Sequence, residues 1–371
     1  MAQDAINGKI DLKGMSLEEM VRFVAELGEP SYRGRQLFYW IYGRGATTFD
    51  EMTDLPAPFR ATLAAQALIG GLTSLGKQVS RDGTRKYLFS GPDGCQIETV
   101  LIPDDERLTA CLSMQVGCAL ACAFCLTGKM GFVRHLSAGE IVDQVLALRR
   151  DLVLGERIGN LVLMGMGEPL HNFDATVKAL RILVHRRGLA YSPRRITLST
   201  VGLVPEIARL GASGLDVNLA VSLHAATDDV RNRLVPINRR YPLHDLIGAL
   251  KAYPLPPRRS ITFEYTLMDG VNDRPEDARE LAKLVRGLRC KVNLLPLNEA
   301  PTVPFRRPPD HRVEAFQQTL KSAGILATIR ESRGWDISAA CGMLATEPGQ
   351  KCLDSTTGAP ISCLSRGGAV R

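Results

Sequence analysis

Residues 109–125 read T-A-C-L-S-M-Q-V-G-C-A-L-A-C-A-F-C, a strand-like run followed by a glycine and three cysteines. This run begins a series in which strand-like and helical segments alternate as far as residue 331. Such alternation predicts an α/β fold with a parallel sheet covered by helices, either an open doubly wound sheet or a full or partial barrel. Functional side chains gather at the C-terminal ends of the strands in these folds, so the loop after this first strand is a candidate site.

The remaining elements of the series follow from hydrophobic periodicity and turn signals. After residues 109–116, strands are predicted at 160–164, 195–200, 217–223, 261–267, 291–297 and 327–330. Helices are predicted at 137–152, 173–187, 204–210, 243–252, 276–288 and 311–323.

Two smaller regions precede this series. Residues 15–68 predict three helices, the first with Ser16 as N-cap and Glu19 in a capping box, the others at 33–42 and 58–68. Residues 72–102 predict a small antiparallel sheet, because G-P-D-G separates two β-rich runs. We therefore divide the chain into a helical module that would bind nucleic acid or a partner (1–70), a β extension (71–104), a catalytic domain (105–345) and a tail expected to be mobile (346–371).

The charge of the chain is unevenly distributed. It carries 46 Lys and Arg against 39 Asp and Glu, a net charge of +7, and residues 177–259 alone hold 14 basic and 5 acidic side chains. Guanidinium groups bind phosphate oxygens bidentately, so this window favours a nucleic-acid partner, with a solvated basic surface as the alternative. The window includes Arg181, Arg186, Arg187, Arg194, Arg195, Arg231, Arg233, Arg239, Arg240, Arg258 and Arg259.

The N-terminal residues contain Asp4 and Asp11 and no apolar core of a secretory signal. No run of about 18 apolar residues occurs that could span a membrane. Nine cysteines, an odd number in a chain long enough for a large core, argue against a secreted disulfide framework. The sequence predicts a cytoplasmic protein whose clustered cysteines are metal ligands or catalytic thiols.

Cys118, Cys122 and Cys125 follow the first strand with C-x3-C-x2-C spacing. A structural zinc site takes four ligands, usually as two pairs, and no fourth cysteine lies at a matching interval. Three thiolates can instead hold three irons of a [4Fe–4S] cluster and leave the fourth iron open, unlike the four-cysteine clusters of electron carriers. Zinc with a distant fourth cysteine is the alternative.

This spacing at this position resembles that of the radical S-adenosylmethionine enzymes, and the resemblance implies a partial (β/α)6-type barrel. It also implies that the open iron chelates the amino and carboxylate groups of S-adenosylmethionine, whose sulfonium is cleaved by one electron to a 5′-deoxyadenosyl radical. The second strand ends in G-M-G-E-P, where Gly167 and Glu168 are similar to the superfamily's motif that holds the amino group.

Polar residues also follow the later strands. Ser199 follows the third strand, Ser222, Leu223 and His224 follow the fourth, and Asn298 follows the sixth. Because these positions share one face of the predicted barrel, we expect them to contact S-adenosylmethionine at its mouth.

Several segments together resemble the RlmN/Cfr family of radical S-adenosylmethionine RNA methyltransferases over approximately residues 12–345: G-C-A-L-x-C-x-F-C, M-G-M-G-E-P-L, S-P-R-R-I-T-L-S-T, S-L-H-A, V-P-I-N and G-V-N-D. The G-E-P form is closer to RlmN, which methylates carbon 2 of adenine, than to Cfr, which methylates carbon 8. Met114 stands where the family usually has serine, and Cys352 and Cys363 match no family role.

The resemblance implies roles for three further residues. Cys341, as a thiolate, takes a methyl group from one S-adenosylmethionine, and the radical from a second abstracts hydrogen from that S-methyl. The resulting carbon radical adds to adenine and tethers the RNA to Cys341. Glu98 matches the family's proton acceptor, and Cys111 then attacks Cys341, releasing RNA and leaving a transient disulfide. The alternatives are small core cysteines and an exposed strand carboxylate.

The implied substrates are an adenosine of the peptidyl-transferase centre in 23S rRNA, reached before the subunit is complete, and the adenosine 3′ of the anticodon in tRNA. The target nucleotide would be turned out of its RNA fold. The resemblance further implies one [4Fe–4S] cluster per chain, two S-adenosylmethionine molecules per turnover, an electron donor such as flavodoxin or ferredoxin, and a monomer. Two other functions stay open: a radical enzyme acting on a small molecule, and a zinc-stabilised RNA-binding module without catalysis.

Overall fold

The structure is a computed structural model that describes residues 5–6, 8–104, 107–346, 352–353 and 360–361. Its strands are β1 Ala5–Ile6, β2 Lys9–Asp11, β3 Ala67–Leu68, β4 Thr73–Val79, β5 Arg85–Ser90, β6 Gln96–Asp104, β7 Arg107–Cys111, β8 Gln115–Gly117, β9 Phe132–His135, β10 Ile158–Leu163, β11 Ile196–Thr200, β12 Asn218–Ser222, β13 Ile261–Leu267, β14 Cys290–Pro296, β15 Leu326–Ile329, β16 Cys352–Leu353 and β17 Pro360–Ile361. Its α-helices are α1 Leu17–Glu26, α2 Tyr32–Phe38, α3 Ala57–Gln66, α4 Leu126–Lys129, α5 Ala138–Arg150, α6 Phe173–Val184, α7 Val204–Ala212, α8 Asp228–Leu234, α9 Leu243–Ala252, α10 Pro275–Leu284 and α11 Asp310–Ser322.

Seven strands run parallel in chain order, from β7 through β10 to β15. Each crossover therefore moves one strand further in the same direction, which is the winding of a barrel and excludes the doubly wound alternative, where the order reverses. In the described residues β7 and β15 do not pair, so the barrel is open. The predicted α/β partial barrel is confirmed.

The crossover helices cover the sheet with apolar stripes. Helix α5 begins at the capping box of Ser137 and Glu140 that the sequence indicates, and it buries Ile141, Val142 and Val145 against the strands. Strands β11 and β12 are buried on both faces over most of their length, whereas β14 alternates between buried and half-buried residues. The core thus extends from the sheet to the helices and holds both ends of the strands at fixed positions.

The antiparallel extension continues the same sheet. Strands β4, β5 and β6 follow β7 outward, and the predicted G-P-D-G turn joins β5 to β6. Strand β6 pairs with β7 so that Val100 lies opposite Cys111. The register puts Glu98 on the strand next to the first barrel strand.

The N-terminal module consists of α1, α2, α3 and the small sheet β1–β2–β3. The capping box of Ser16 and Glu19 is confirmed. The second predicted helix, 33–42, is helical throughout, but it changes type: α2 ends at Phe38, and a π-helical turn at Tyr39–Arg44 follows. Phe38 packs edge-on against His185, with ring centroids 4.7 Å apart, so the turn lies against the segment after α6.

The predicted strand 109–116 is interrupted. Strand β7 ends at Cys111 and β8 begins at Gln115. Between them the backbone N–H and carbonyl of Ser113 both bond, at 2.8 Å, to the side chain of Gln144 on α5 instead of to a neighbouring strand. Helix α8 was not predicted.

No helix of the described part of the chain is long and apolar enough to cross a membrane. The predicted tail, 346–371, falls outside the described residues apart from Thr346 and the antiparallel pair β16–β17.

Candidate functional site

Cys118, Cys122 and Cys125 lie on the loop between β8 and α4, beyond the carboxyl end of β7. The backbone N–H of Cys118 donates to Gly131 and that of Ala123 to Leu234, at 2.8 and 2.9 Å, so the loop is held on two sides. Burial raises the pKa of the Cys118 thiol to about 12 and that of Cys122 well above its usual value, and the neighbouring thiols add to both effects. Thiolates here need a cation, which metal ligation supplies.

Cys118, Cys122 and Cys125 are the candidate ligands of the metal centre, and all three are free thiols on one loop. Each thiolate can bind a different iron of a [4Fe–4S] cluster and leave the fourth iron open, whereas a structural zinc site would need a fourth ligand.

The turn after β10 carries Gly167 and Glu168. Gly167 has a φ of +93°, and a Cβ there would lie 2.5 Å from the Gln115 side chain, so only glycine fits. The buried Glu168 carboxylate accepts from the N–H groups of Leu170 and Val201, at 3.0 and 2.9 Å. Burial raises the pKa of Glu168 to about 7, and its charge interacts with the thiols of the cysteine loop. This carboxylate can accept from an ammonium group at the cluster side.

Gln115 supports this turn, and sequence reasoning missed it because the glutamine lies inside a strand-like run. Its Oε1 accepts from the Glu168 N–H at 2.8 Å, and its Nε2 lies 3.0 Å from Nδ1 of both His135 and His171. An amide nitrogen donates, so both Nδ1 atoms accept and both rings are neutral. Burial lowers the pKa of both histidines, that of His135 to about 4.

The strand ends predicted to contact S-adenosylmethionine lie together. The hydroxyls of Ser199 on β11 and Ser222 on β12 are 3.5 Å apart. His224 is buried with a φ of +58°, its Nδ1 accepts from the N–H of Thr266, and its ring packs 4.6 Å from that of Phe124 on the cysteine loop. Burial lowers the pKa of His224 to about 3, so the ring is neutral.

Leu223 and Asn298 reach the site in different ways. The Leu223 side chain is fully buried, and its backbone N–H and carbonyl bond to Glu264 and Arg231. Asn298, just beyond β14, donates from Nδ2 to the carbonyl of Cys341 at 3.3 Å. Their contact with S-adenosylmethionine stays a prediction.

Glu98 is buried at the edge of the site, which excludes the exposed strand carboxylate. One carboxylate oxygen lies 2.8 Å from Nζ of Lys86, and the other accepts from the Ala345 N–H at 2.9 Å. Burial raises the pKa of Glu98, and Lys86 opposes that rise. Lys86 also approaches the Ser338 carbonyl at 3.5 Å. Glu98 and Lys86 therefore hold the segment that carries Cys341.

Cys111 and Cys341 are both free thiols but differ in placement. Cys111 is the buried last residue of β7, whereas Cys341 is exposed on a loop anchored by the bond from the Leu126 N–H to the Gly342 carbonyl. This bond places the Cys341 loop next to the end of the cysteine loop, and the Cys341 thiol interacts electrostatically with both Cys125 and Cys111.

The arginine-rich window does not form one surface. Arg231 is fully buried and cannot contact RNA, which corrects the expectation for that residue. Arg194 and Arg195 precede β11 and Arg258 precedes β13, so these side chains lie at the amino ends of the strands, opposite the cysteine loop. The exposed pair 239–240 follows β12, at the carboxyl ends.

Comparisons with known proteins define the class. Residues 112–285 match the radical SAM superfamily, and residues 10–69 match the ribosomal RNA large subunit methyltransferase N-terminal domain. The crystal structure of a radical SAM methyltransferase from Sphaerobacter thermophilus has the same fold, with a TM-score of 0.87 and 50% sequence identity over 91% of this chain and 99% of that chain. The fold and the cysteine loop thus define a radical S-adenosylmethionine methyltransferase.

Curated relatives narrow the class. The dual-specificity RNA methyltransferase RlmN of Syntrophobacter fumaroxidans is 52% identical over 338 residues, which cover 91% of this chain and 98% of the relative. That of Geobacter sulfurreducens is 51% identical over 335 residues, covering 90% and 92%. The chain belongs to the RlmN family of RNA methyltransferases.

Proposed function

We propose that this enzyme methylates carbon 2 of one adenosine in 23S rRNA and of the adenosine 3′ of the anticodon in some tRNAs. The observation that carries this proposal is the position of segment 341–345, which bonds to Glu98 through the Ala345 N–H and to Leu126, the residue after the cysteine loop, through the Gly342 carbonyl. The Cys341 thiol of this segment also interacts electrostatically with Cys111. The dual specificity named for the relatives supports both RNA classes.

Different residues at the carboxyl ends of the strands would bind the iron–sulfur cluster and S-adenosylmethionine. Cys118, Cys122 and Cys125 would hold the [4Fe–4S] cluster, one per chain, and Gly167 with Glu168 would receive the amino group of S-adenosylmethionine. Ser199, Ser222, Leu223, His224 and Asn298 would line the rest of that site. When bound, the cluster and two S-adenosylmethionine molecules per turnover supply the radical and the methyl group.

The two thiols differ in what they can reach. Cys341 is exposed, so a nucleobase turned out of RNA can approach it, and it would carry the methyl group. Cys111 is buried in β7 and would meet only the sulfur of Cys341. Its thiolate attacks that sulfur and forms the S–S bond as the S–C bond to the base breaks. The carbon leaves with the bonding electron pair and takes up a proton to become the methyl group, and an external reductant must then restore both thiols.

Glu98 would act as the base that removes the carbon-2 proton. Its pKa is raised by burial, which brings a carboxylate closer to the range in which it accepts protons at neutral pH. Both carboxylate oxygens are occupied by Lys86 and the Ala345 N–H, so the Cys341 segment must shift for Glu98 to reach the base. A cytoplasmic location, a monomeric state and a flavodoxin or ferredoxin donor remain predictions from the family resemblance.

The test compares Cys111→Ala, Cys341→Ala and the double variant on a denaturing gel after expression in cells, with and without ribonuclease. Cys111→Ala should accumulate a ribonuclease-sensitive RNA adduct, and the two variants without Cys341 should show none. Cys290→Ala, a free thiol at the amino end of β14, is the matched control and should behave as the parent enzyme.

Mass spectrometry of rRNA and tRNA from cells with and without the enzyme should show 2-methyladenosine in both. 8-Methyladenosine would instead assign the Cfr reaction. An adduct in Cys341→Ala would contradict the assignment of the methyl carrier.

A further inference from the structure

Arg231, the fourth residue of α8, is a fully buried cation at the carboxyl ends of β11 and β12. Its Nε donates to the Leu223 carbonyl at 3.0 Å and its Nη1 to Asn238 Oδ1 at 2.8 Å. Its Nη2 donates to the Val201 carbonyl at 2.6 Å and the Ser222 carbonyl at 3.2 Å. All four acceptors are neutral.

The charge of Arg231 is therefore not balanced by a contacting carboxylate in the described part of the chain. In the described residues, the hydrogen-bond network of Arg231 reaches a carboxylate, that of Asp228, only through Asn238. Asp228 is exposed and is separated from the guanidinium by Asn238, whose Nδ2 donates to Asp228 Oδ1 at 2.8 Å. A buried charge without a paired counter-ion is unfavourable unless another opposite charge lies nearby.

The cysteine loop lies directly beside this cation. The Ala123 N–H donates to the carbonyl of Leu234, the last residue of α8, at 2.9 Å, and this bond fixes the loop to the helix that carries Arg231. The Leu223 carbonyl that accepts from Arg231 directly precedes His224, whose ring packs 4.6 Å from that of Phe124 on the cysteine loop. The helix and the loop thus bring one permanent positive charge to three thiols.

We propose that Arg231 is the counter-cation of the iron–sulfur cluster and that it also positions the two strand ends which face S-adenosylmethionine. This inference rests on the cluster of the proposed function. A cluster bound by three thiolates is anionic and becomes more so on reduction, so a fixed positive charge in a low-dielectric interior stabilises the reduced form more and raises the reduction potential.

The second effect follows from the hydrogen bonds. The guanidinium connects the carbonyls of Val201, Ser222 and Leu223, which belong to two adjacent strand ends. Since these bonds occupy the planar fork, Arg231 acts through the strands and by charge. It is a positioning residue.

The test uses anaerobically reconstituted holoenzyme without RNA. Arg231→Gln removes the charge, and Arg231→Lys keeps the charge but not the fork. Arg233→Gln, an exposed residue of the same helix, is the matched control. The readouts are iron content, the cluster's midpoint potential followed by electron paramagnetic resonance, and the Kd of S-adenosylmethionine.

Arg231→Gln should lower the reduction equilibrium constant at least tenfold, which corresponds to about 59 mV for one electron. Arg231→Lys should keep the potential near that of the parent enzyme while binding S-adenosylmethionine at least tenfold more weakly. Arg233→Gln should change neither. An unchanged potential in iron-loaded Arg231→Gln overturns the proposal, and so does a rise, which would indicate only that water enters a loosened core.

If Arg231→Gln does not bind iron, a variant that exchanges the side chains of Asn238 and Asp228 provides a second test of the proposal. Asn238→Asp combined with Asp228→Asn preserves the net charge and the hydrogen bond between the two positions, but it places a carboxylate directly on the guanidinium. The potential should fall in this variant as well, and an unchanged potential overturns the proposal. Because no RNA is present, a failure here is distinct from a failure of the adduct test with Cys111→Ala and Cys341→Ala.

Discussion

The two edges of the parallel sheet belong to the same strands but differ in whether their polar residues are buried or exposed. At the carboxyl edge, Glu168, His224 and Arg231 are buried, and each is hydrogen-bonded to backbone groups of neighbouring loops. At the amino edge, Arg194 and Arg195 are exposed in a short turn before β11. Of these residues, only those under the loops at the carboxyl ends of the strands are buried.

This difference shows where function can be separated from stability. The strands and crossover helices bury the large apolar core below the carboxyl edge, so most of the apolar contribution to stability comes from residues outside the site. The amino edge contributes surface charge. Each of the following predictions tests this difference between the two edges.

The largest effect is expected for the cysteine loop. Cys122→Ala should abolish iron binding and methylation, because three thiolates must act together on one cluster, while far-ultraviolet circular dichroism stays that of a folded α/β protein. Cys290→Ala, at the amino edge, should retain iron and activity. The measurement is the iron content of both purified variants. Near-stoichiometric [4Fe–4S] in Cys122→Ala would contradict the assignment of the cluster ligands.

Glu98 and Lys86 should show the next largest effect. Glu98→Gln should slow turnover by about 10² or more and accumulate the RNA adduct, because the carbon-2 proton stays on the base. Lys86→Met should lose less activity, since it keeps the carboxylate and removes the cation that lowers the pKa of Glu98, together with the 3.5 Å contact to the Ser338 carbonyl. The carboxylate must be ionised to accept a proton, so activity is present above this pKa, and the acidic limb of the pH profile should move to higher pH in Lys86→Met.

The control for this pair is Lys77→Met. Lys77 forms an exposed ion pair with Asp151 at 2.8 Å on the outer strand β4, away from Cys341. Its pH–rate profile should coincide with that of the parent enzyme. Coincident profiles for Lys86→Met and Lys77→Met would show that Lys86 does not tune Glu98.

A smaller effect concerns stability at acid pH. Folding lowers the pKa of His224 from 6.5 to about 3 because the ring is buried, so the native state binds fewer protons than the unfolded state between these values. The contribution of His224 to stability is therefore complete above pH 6.5 and is lost as pH falls towards 3, by at most about 1.4 kcal/mol per pH unit.

Urea unfolding at pH 7 and pH 5 measures this loss. His224→Gln should lose less stability than the parent enzyme between the two pH values. His244→Gln, whose side chain is 96% exposed, should lose as much as the parent. Equal losses in all three proteins would mean that other groups control the acid transition.

The repeating part of the fold was predictable because its signals are local. Strand β13 and helix α9 coincide with the predicted 261–267 and 243–252, since periodicity and flanking turns mark both ends. The strand break after Cys111 was not predictable, because Gln144, far along the chain, takes the backbone groups of Ser113. Local propensity does not contain such a contact.

The site likewise contains residues that the sequence identifies and residues that it does not. The cysteine loop and the turn at 165–169 are contiguous motifs, and the sequence identifies them directly. Arg231 was counted among surface arginines because a charge window carries no information on burial. Lys86 could have been found: the turn at 91–94 fixes a register with Leu88 opposite Glu98, which makes Lys86 a diagonal neighbour on the same face.

The smallest expected effect compares surface arginines at the two edges. If RNA approaches the carboxyl edge, Arg239→Gln with Arg240→Gln should reduce the salt slope of RNA binding by up to about 1.4, at about 0.7 per single-stranded phosphate contact. Arg194→Gln with Arg195→Gln should leave the slope nearly unchanged, because this pair lies beyond the opposite ends of the strands. The measurement is the Kd of a tRNA anticodon stem-loop between 50 and about 200 mM salt.

The reverse result would mean that the body of the RNA lies along the amino edge, where the segment after α6 packs against the N-terminal module through His185 and Phe38. Only the displaced nucleotide would then reach Cys341, and the two edges would divide binding from chemistry.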